Sequence, residues 1–224
     1  MTMRWFFKTI LPAVILAMAW VQDARAAEQA LRILALGDSL TQGFGVPPGL
    51  DFPNRLERAL KARGLNVTVI NAGVSGDTSA GGLARLDWSL SDASGAAIVE
   101  LGANDGLRGL APAEMEKNLD AILAKLKTRN IPVLLAGMKA PRNFGAAYAA
   151  EFDAVFPRLA RKYGVLFYPF FLEGVALDRT LVQPDGLHPN PKGVEAIVKN
   201  ITPLATQLVQ QAQAKRVPPT QSAR

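Results

Sequence analysis

Short apolar runs alternate along this chain with longer segments in which apolar residues recur at helical spacing. The five short runs are rich in aliphatic and β-branched residues and lie at 31–36, 67–70, 96–101, 133–136 and 165–167. Strands that are buried on both faces have this continuous apolar character, and neighbouring parallel strands are joined by a crossover helix. The alternation therefore predicts a three-layer α/β domain, in which helices cover both faces of a five-stranded parallel sheet.

Four segments have the apolar periodicity of amphipathic helices, at 52–63, 112–129, 148–163 and 194–208. Gly64 follows the first of them as a helix stop. Prolines lie inside the last two segments, and each predicts a kink or a restart of its helix. A chain of 224 residues with this pattern suits a single domain with a full hydrophobic core.

The two ends of the chain differ from the rest. A basic start, an apolar stretch and an Ala-Arg-Ala site predict a secretory signal peptide over residues 1–26. The apolar stretch is shorter than the ~20 residues that a spanning helix needs, so we expect cleavage and release into the periplasm or the medium. We expect the folded domain to cover residues 27–213 and the tail, 214–224, to be disordered because it lacks apolar periodicity.

Composition and charge exclude several function classes. The chain has no cysteine, which rules out disulfides and thiolate metal sites. Its net charge of +6 falls to +4 when the three basic residues and one acidic residue of the predicted signal peptide are removed. The basic residues are scattered rather than clustered with aromatics, so we expect no nucleic-acid partner. Peripheral contact with a lipid surface stays open.

One histidine, His188, occurs in the whole chain, and it stands three residues after Asp185. Far upstream, Ser39 lies in a Gly-Asp-Ser-Leu sequence that directly follows the first apolar run. A serine hydroxyl becomes a good nucleophile when an imidazole accepts its proton and a carboxylate holds the other ring nitrogen. The three residues therefore predict a serine hydrolase, with Gly186 allowing the tight turn that joins the acid and the histidine.

Loops at the carboxyl ends of parallel strands converge, and ligands bind there in the crevice where the strand order reverses. Gly76 and Asn104 follow the second and third apolar runs. The backbone N–H groups of Ser39 and Gly76 and the amide of Asn104 can stabilise the negative charge that develops during acyl transfer. Gly73 is the competing glycine for this role. Arg108 is expected to form an ion pair with a nearby acid, with contact to a substrate phosphate as its alternative role.

Four blocks occur in order: Gly-Asp-Ser-Leu at 37–40, the glycine at 76, Gly-x-Asn-Asp at 102–105 and Asp-x-x-His at 185–188. With these blocks the chain resembles the GDSL or SGNH hydrolase superfamily. Finer similarity at 75–79, 82–86 and 100–109 resembles the periplasmic thioesterase, lysophospholipase and arylesterase branch.

The resemblance implies a flavodoxin-like sheet of strand order 2-1-3-4-5. It also implies a catalytic triad of Ser39, Asp185 and His188, and an oxyanion hole formed by Ser39, Gly76 and Asn104. Ala103 replaces a glycine that is common in close relatives and leaves the neighbouring amide untouched.

Substrate specificity is expected to depend on the loop 138–148, which follows the fourth strand and should border the site. Within it, Met138, Asn143 and Phe144 are the predicted substrate-binding residues. Phe and Met side chains favour acyl chains over sugars as ligands. No metal ligand set and no cofactor are predicted.

The leading hypothesis is a cofactor-independent serine esterase and thioesterase acting on small fatty-acyl, lysophospholipid or aryl esters. A carbohydrate O-deacetylase with the same triad is the enzymatic alternative, and only the walls of the pocket distinguish the two. A non-catalytic lipid or glycan binder would be expected to carry a damaged triad, which this chain does not. A flavin-binding protein is disfavoured because the first loop is not a phosphate-binding loop. We expect a monomer.

Overall fold

The computed structural model describes residues 29–90 and 94–216. The predicted signal peptide lies outside these residues. Five parallel strands form one sheet: β1 (Leu31–Gly37), β2 (Val67–Gly73), β3 (Ser94–Glu100), β4 (Val133–Ala136) and β5 (Leu166–Tyr168). Their order in the sheet is β2-β1-β3-β4-β5, which confirms the predicted topology. The order reverses between β1 and β3, and this places the ligand-binding crevice at their carboxyl ends.

Helices cover both faces of the sheet and complete the three layers. In chain order they are α1 (Ser39–Gln42), α2 (Phe52–Lys61), α3 (Ser79–Ser89), α4 (Ala103–Leu107), α5 (Pro112–Thr128), α6 (Ala146–Tyr163) and α7 (Pro191–Arg216), with a 3-10 turn at Arg142–Phe144. Helix α2 packs beside α7, whereas α5 packs beside both α3 and α6. No helix within residues 29–90 and 94–216 is long and apolar enough to cross a membrane.

Helix α7 is longer than the sequence indicated. It continues to Arg216, so residues 214–216 are helical and the predicted start of the disordered tail was wrong. Ala212 is buried near the end of this helix, and Lys215 Nζ donates to the side-chain oxygen of Asn130 at 2.9 Å. Tertiary contacts thus hold a helix end whose own sequence lacks apolar periodicity. Residues 217–224 lie outside the described part of the chain.

The two internal prolines do not restart their helices. Pro157 lies within α6 and Pro203 within α7, and both helices continue through them. A proline removes one backbone hydrogen bond, but the buried faces on either side keep both helices packed on the sheet. In α6, for example, Phe152 and Phe156 are buried with ring centroids 5.7 Å apart.

Candidate active site

Ser39 begins α1 directly after β1 ends. Asp38 caps this short helix, because its Oδ1 accepts from the backbone N–H of Leu40 at 2.9 Å. The helix lies close against the end of β2, where a Cβ on Gly73 would stand 2.2 Å from the backbone nitrogen of Gln42. Gly73 is therefore a packing glycine, and its N–H donates to the side chain of Asn71 at 3.0 Å. These contacts fix the turn that presents the Ser39 hydroxyl at the crevice.

Asp185 and His188 share the loop that precedes α7. The carboxylate Oδ1 accepts from the backbone N–H groups of Leu187 and His188 at 2.9 and 3.0 Å, around a turn in which Gly186 has φ of +73°. Its Oδ2 lies 2.7 Å from His188 Nδ1. The backbone bond from Leu187, aided by the His188 side chain, lowers the pKa of Asp185 to about 2. The acid is thus ionised and fixed in position at neutral pH.

His188 links this loop to α1. Its Nε2 lies 2.9 Å from Ser39 Oγ, and the ring of Phe44 stands against the imidazole with centroids 4.7 Å apart. Because the ionised Asp185 can only accept, Nδ1 carries the ring proton and Nε2 is free to accept from the serine hydroxyl. Nothing in the sequence pattern pointed to Phe44, since it is distant from His188 along the chain.

The oxyanion candidates lie on the loop after β2 and on α4. Gly76 has φ of +83°, a left-handed conformation that favours glycine, and its carbonyl accepts from Arg108 Nη2 at 2.7 Å. The predicted ion pair of Arg108 was wrong: no acid of the described residues lies within salt-bridge distance of it, and it holds the Gly76 peptide instead. Asn104 Nδ2 donates to the carbonyl of Asp77 at 2.9 Å and to Asp38 Oδ2 at 3.1 Å.

Two buried acids stand beneath the nucleophile turn. Asp38 and Glu100 are both fully buried, and Glu100 Oε2 accepts from Thr41 Oγ1 at 2.7 Å. Burial raises the pKa of Asp38 to about 6. Burial, with the nearby Asp38 charge, raises the pKa of Glu100 well above its ordinary value. No sequence pattern indicated that Glu100 lies here, because a lone acid at a strand end is common.

A cleft of about 780 Å³ opens in front of Ser39 and His188. Its walls are mainly apolar, with Leu40, Leu107, Met138, Leu172, Leu177 and Leu187 among the lining residues. Charged groups on its rim include Lys139, whose ammonium lies 3.9 Å from a carboxylate oxygen of Glu173. A cleft with this lining can hold an acyl chain beside a reactive serine.

The predicted specificity loop is placed only partly as expected. Met138 lines the cleft, but Asn143 and Phe144 are not among its lining residues. The 3-10 turn carries the Phe144 ring to Tyr148, with centroids 5.3 Å apart, and over Gly109, where a Cβ would stand 2.7 Å from the ring. Leu177 and Leu187 were missed, because they lie in loops without apolar periodicity. Among the described residues, no cluster of three or more His, Cys, Asp or Glu could hold a metal ion.

Comparison with known proteins shows the family of the chain. The model of the GDSL-like lipase/acylhydrolase family matches residues 35–196. The chain belongs to this family. It is therefore a serine hydrolase of the esterase type.

Relatives and solved structures with similar sequences carry esterase names. The chain is 39% identical to esterase TesA of Pseudomonas aeruginosa, over 80% of this chain and 89% of that protein. It is 36% identical to thioesterase 1/protease 1/lysophospholipase L1 of Escherichia coli, over 88% of this chain and 94% of that protein. The crystal structure of AlinE4, an SGNH-hydrolase family esterase, is 48% identical with a TM-score of 0.68, covering 85% of this chain and 98% of that one.

Proposed function

We propose that this protein hydrolyses acyl esters and thioesters with Ser39 as nucleophile, His188 as general base and Asp185 as the acid that orients the histidine. The observation that carries the proposal is the continuous line of two contacts, 2.9 Å from Ser39 Oγ to His188 Nε2 and 2.7 Å from Nδ1 to Asp185 Oδ2. Distances of this length allow proton transfer in the resting site without rearrangement.

The proposed reaction has two steps. In the first, Ser39 Oγ attacks the acyl carbonyl while its proton passes to His188 Nε2, which then protonates the leaving alcohol or thiol. In the second, His188 takes a proton from water, the resulting hydroxide attacks the acyl-serine, and His188 returns the proton to Ser39 Oγ as the acid is released. During both, the N–H groups of Ser39 and Gly76 and the Asn104 amide bind the carbonyl oxygen as it becomes negative.

The proposed substrates are esters with an apolar acyl or aryl group, including fatty-acyl esters and lysophospholipids. The apolar walls of the cleft support this choice, since leucine and methionine side chains gain free energy by burying an alkyl chain. Thioesterase and lysophospholipase occur in the name of the Escherichia coli relative, and they are the activities proposed here. The substrate is expected to reach the protein outside the cytoplasm, after removal of residues 1–26.

A panel of substrates tests this function. Purified protein should be assayed on p-nitrophenyl esters from acetate to palmitate, on a medium-chain acyl-CoA, on a lysophospholipid and on acetylated xylan. We expect kcat/KM to be highest for a medium acyl chain. Highest activity on acetate or on acetylated xylan would contradict the proposal and favour the carbohydrate O-deacetylase.

Two variants test whether the activity on this panel depends on Ser39. Ser39→Ala should retain the fold and lose hydrolysis by several orders of magnitude. Ser89→Ala, at the end of α3, is the matched control and should keep full activity, because its hydroxyl makes only a 3.4 Å contact with Arg85. A folded Ser39→Ala protein with normal turnover would refute the proposed mechanism.

A further inference from the structure

In the resting site, both N–H groups of the Asn104 amide already have acceptors. One donates to the carbonyl of Asp77 at 2.9 Å and the other to Asp38 Oδ2 at 3.1 Å. An amide NH₂ group has only two donors, so these two acceptors set the plane of the amide in the resting site, and one of the two N–H groups must be shared with the carbonyl oxygen when the reaction begins. One acceptor is a fixed backbone carbonyl, whereas the other is a side chain that can gain or lose a proton.

Asp38 also fixes the nucleophile turn. Its second oxygen accepts from the backbone N–H of Leu40 at 2.9 Å, at the start of the helix that carries Ser39. One carboxylate therefore joins the serine turn to the Asn104 amide, although the two lie on different loops. Asp38 is fully buried and can perform this role only as an acceptor at both oxygens.

We propose that Asp38 is a positioning residue for the oxyanion side of the proposed active site, and that its ionised carboxylate holds the Asn104 amide in the orientation that serves the reaction. When Asp38 is protonated, the carboxyl group loses its charge, and the oxygen that carries the hydrogen is a weaker acceptor. The contact with the leucine N–H or with the amide is therefore weakened. The proposal rests on the function of Ser39 and Asn104 proposed above.

Burial of Asp38, more than the charges around it, makes this protonation accessible in a normal pH range. Glu100 from β3 and Asp77 from the loop after β2 lie nearby, as does His188 from the loop before α7. Arg85 of α3 approaches the end of β1, but its guanidinium donates to Asp77 and to the carbonyls of Gly37 and Ala72. No lysine or arginine of the described residues forms a salt bridge with either buried acid, and burial raises the pKa of Asp38 to about 6.

The first test is a double-mutant cycle on kcat for a p-nitrophenyl ester at pH 8. Asp38→Asn keeps the shape of the side chain but supplies one acceptor instead of two. It should lower kcat by roughly 10- to 100-fold, the effect expected for one charge-assisted hydrogen bond, with little change in KM. Because Asp38 acts through Asn104, the double variant with Asn104→Ala should lose no more than Asn104→Ala alone.

The second test needs no change at Asp38. Because protonation of Asp38 should lower kcat only by the roughly 10- to 100-fold that the carboxylate contributes, the slope of log kcat against pH on the acid side should exceed the value of about 1 that a single ionisation gives. In Asn104→Ala it should fall to about 1, because the ionisation of Asp38 no longer affects a catalytic donor. Asp51→Asn is the matched control, since Asp51 is a buried aspartate that caps α2, and it should keep the original kcat and slope.

If the losses in kcat of Asp38→Asn and Asn104→Ala multiply in the double variant, the proposal is overturned. It is also overturned if the slope of log kcat against pH is the same in the natural protein and in Asn104→Ala. A rise in kcat for Asp38→Asn would also overturn it, because the carboxylate would then repel the oxyanion more than it positions the amide. If Ser39→Ala remains active, both this inference and the proposed function fail. If Ser39→Ala is inactive and the losses multiply, only the role of Asp38 fails.

Discussion

Asp38→Asn should change how the stability of this protein depends on pH. The ordinary pKa of an aspartate is 3.8, and burial raises that of Asp38 to about 6. A carboxyl whose pKa is higher in the folded state binds its proton more tightly there than in the unfolded chain. Its contribution to stability is therefore fully present below pH 3.8 and is lost as the pH rises through about 6.

The size of this effect follows from the shift. Each pKa unit corresponds to about 1.4 kcal/mol, so the free energy of unfolding should fall by about 3 kcal/mol in total as Asp38 ionises. About 2.5 kcal/mol of this should be lost between pH 4 and pH 8. Full burial of Asp38 means that solvent screening reduces these figures little. An asparagine does not titrate, so the variant should lack this loss.

The assay is urea unfolding of both proteins at pH 4, 5, 6, 7 and 8. The difference in unfolding free energy between the natural protein and Asp38→Asn should change by about 2.5 kcal/mol across this range, with the variant relatively more stable at high pH. Groups whose ionisation does not depend on Asp38, including Asp185, cancel in the difference. Glu100 does not cancel, but removing the Asp38 charge lowers its pKa and shifts the difference in the same direction. Ser39→Ala is the control, because it removes no titrating group in this range and should run parallel to the natural protein.

Parallel curves for Asp38→Asn would refute the reasoning, since they would show that Asp38 binds its proton equally well in the folded and unfolded chains. A difference of the opposite sign would mean that the hydrogen bonds from Leu40 and Asn104 stabilise the carboxylate more than burial disfavours it.

Three further predictions follow from the structure and one from the sequence. Asn104→Ala should lower kcat by about 10²- to 10³-fold with a smaller effect on KM in steady-state assays, as expected for a donor to the transition state. Asp185→Asn should lower kcat by about 10⁴-fold by favouring the wrong histidine tautomer, with the fold unchanged by circular dichroism. Gly82→Ala should cost about 1 to 2 kcal/mol in urea unfolding, because its Cβ would stand 2.3 Å from a methyl group of Leu101. The exported protein should begin at Ala27 by N-terminal sequencing, and full-length chain in the membrane fraction would contradict this.

The sheet could be predicted because strands that are buried on both faces are short, continuous runs of apolar residues. All five predicted apolar runs overlap the observed strands, as in Val133–Ala136. Helix α3 could not be found in the same way. It contains Gly81 and Gly82, and its apolar residues are too few to form a stripe. Gly82 is needed there for close packing on Leu101, a reason that exists only in three dimensions.

The three proposed catalytic side chains could be predicted for a related reason. Ser39 follows β1 directly, and the sole histidine left no other choice for the base. The rule that strand ends converge then brought distant segments together without any knowledge of the loops. Side-chain directions within the loops were not predictable. Phe144 was assigned to the cleft from its position after β4, yet the 3-10 turn directs its ring to Tyr148.

The two acids beneath the nucleophile turn are exceptions to the apolar composition of the buried core. Along β3, Ile98 and Val99 are fully buried and apolar, and the next residue in the same buried strand is Glu100. One of its oxygens, Oε1, has no hydrogen-bond partner among the residues that the structure describes, which costs stability that an aliphatic side chain would not. The unpaired oxygen belongs to the residue of β3 that pairs with the end of β1, at the point where the strand order reverses. A sequence selected for stability alone would place an aliphatic residue there, so the position of this acid next to Asp38 is a local conflict of the kind expected at functional sites.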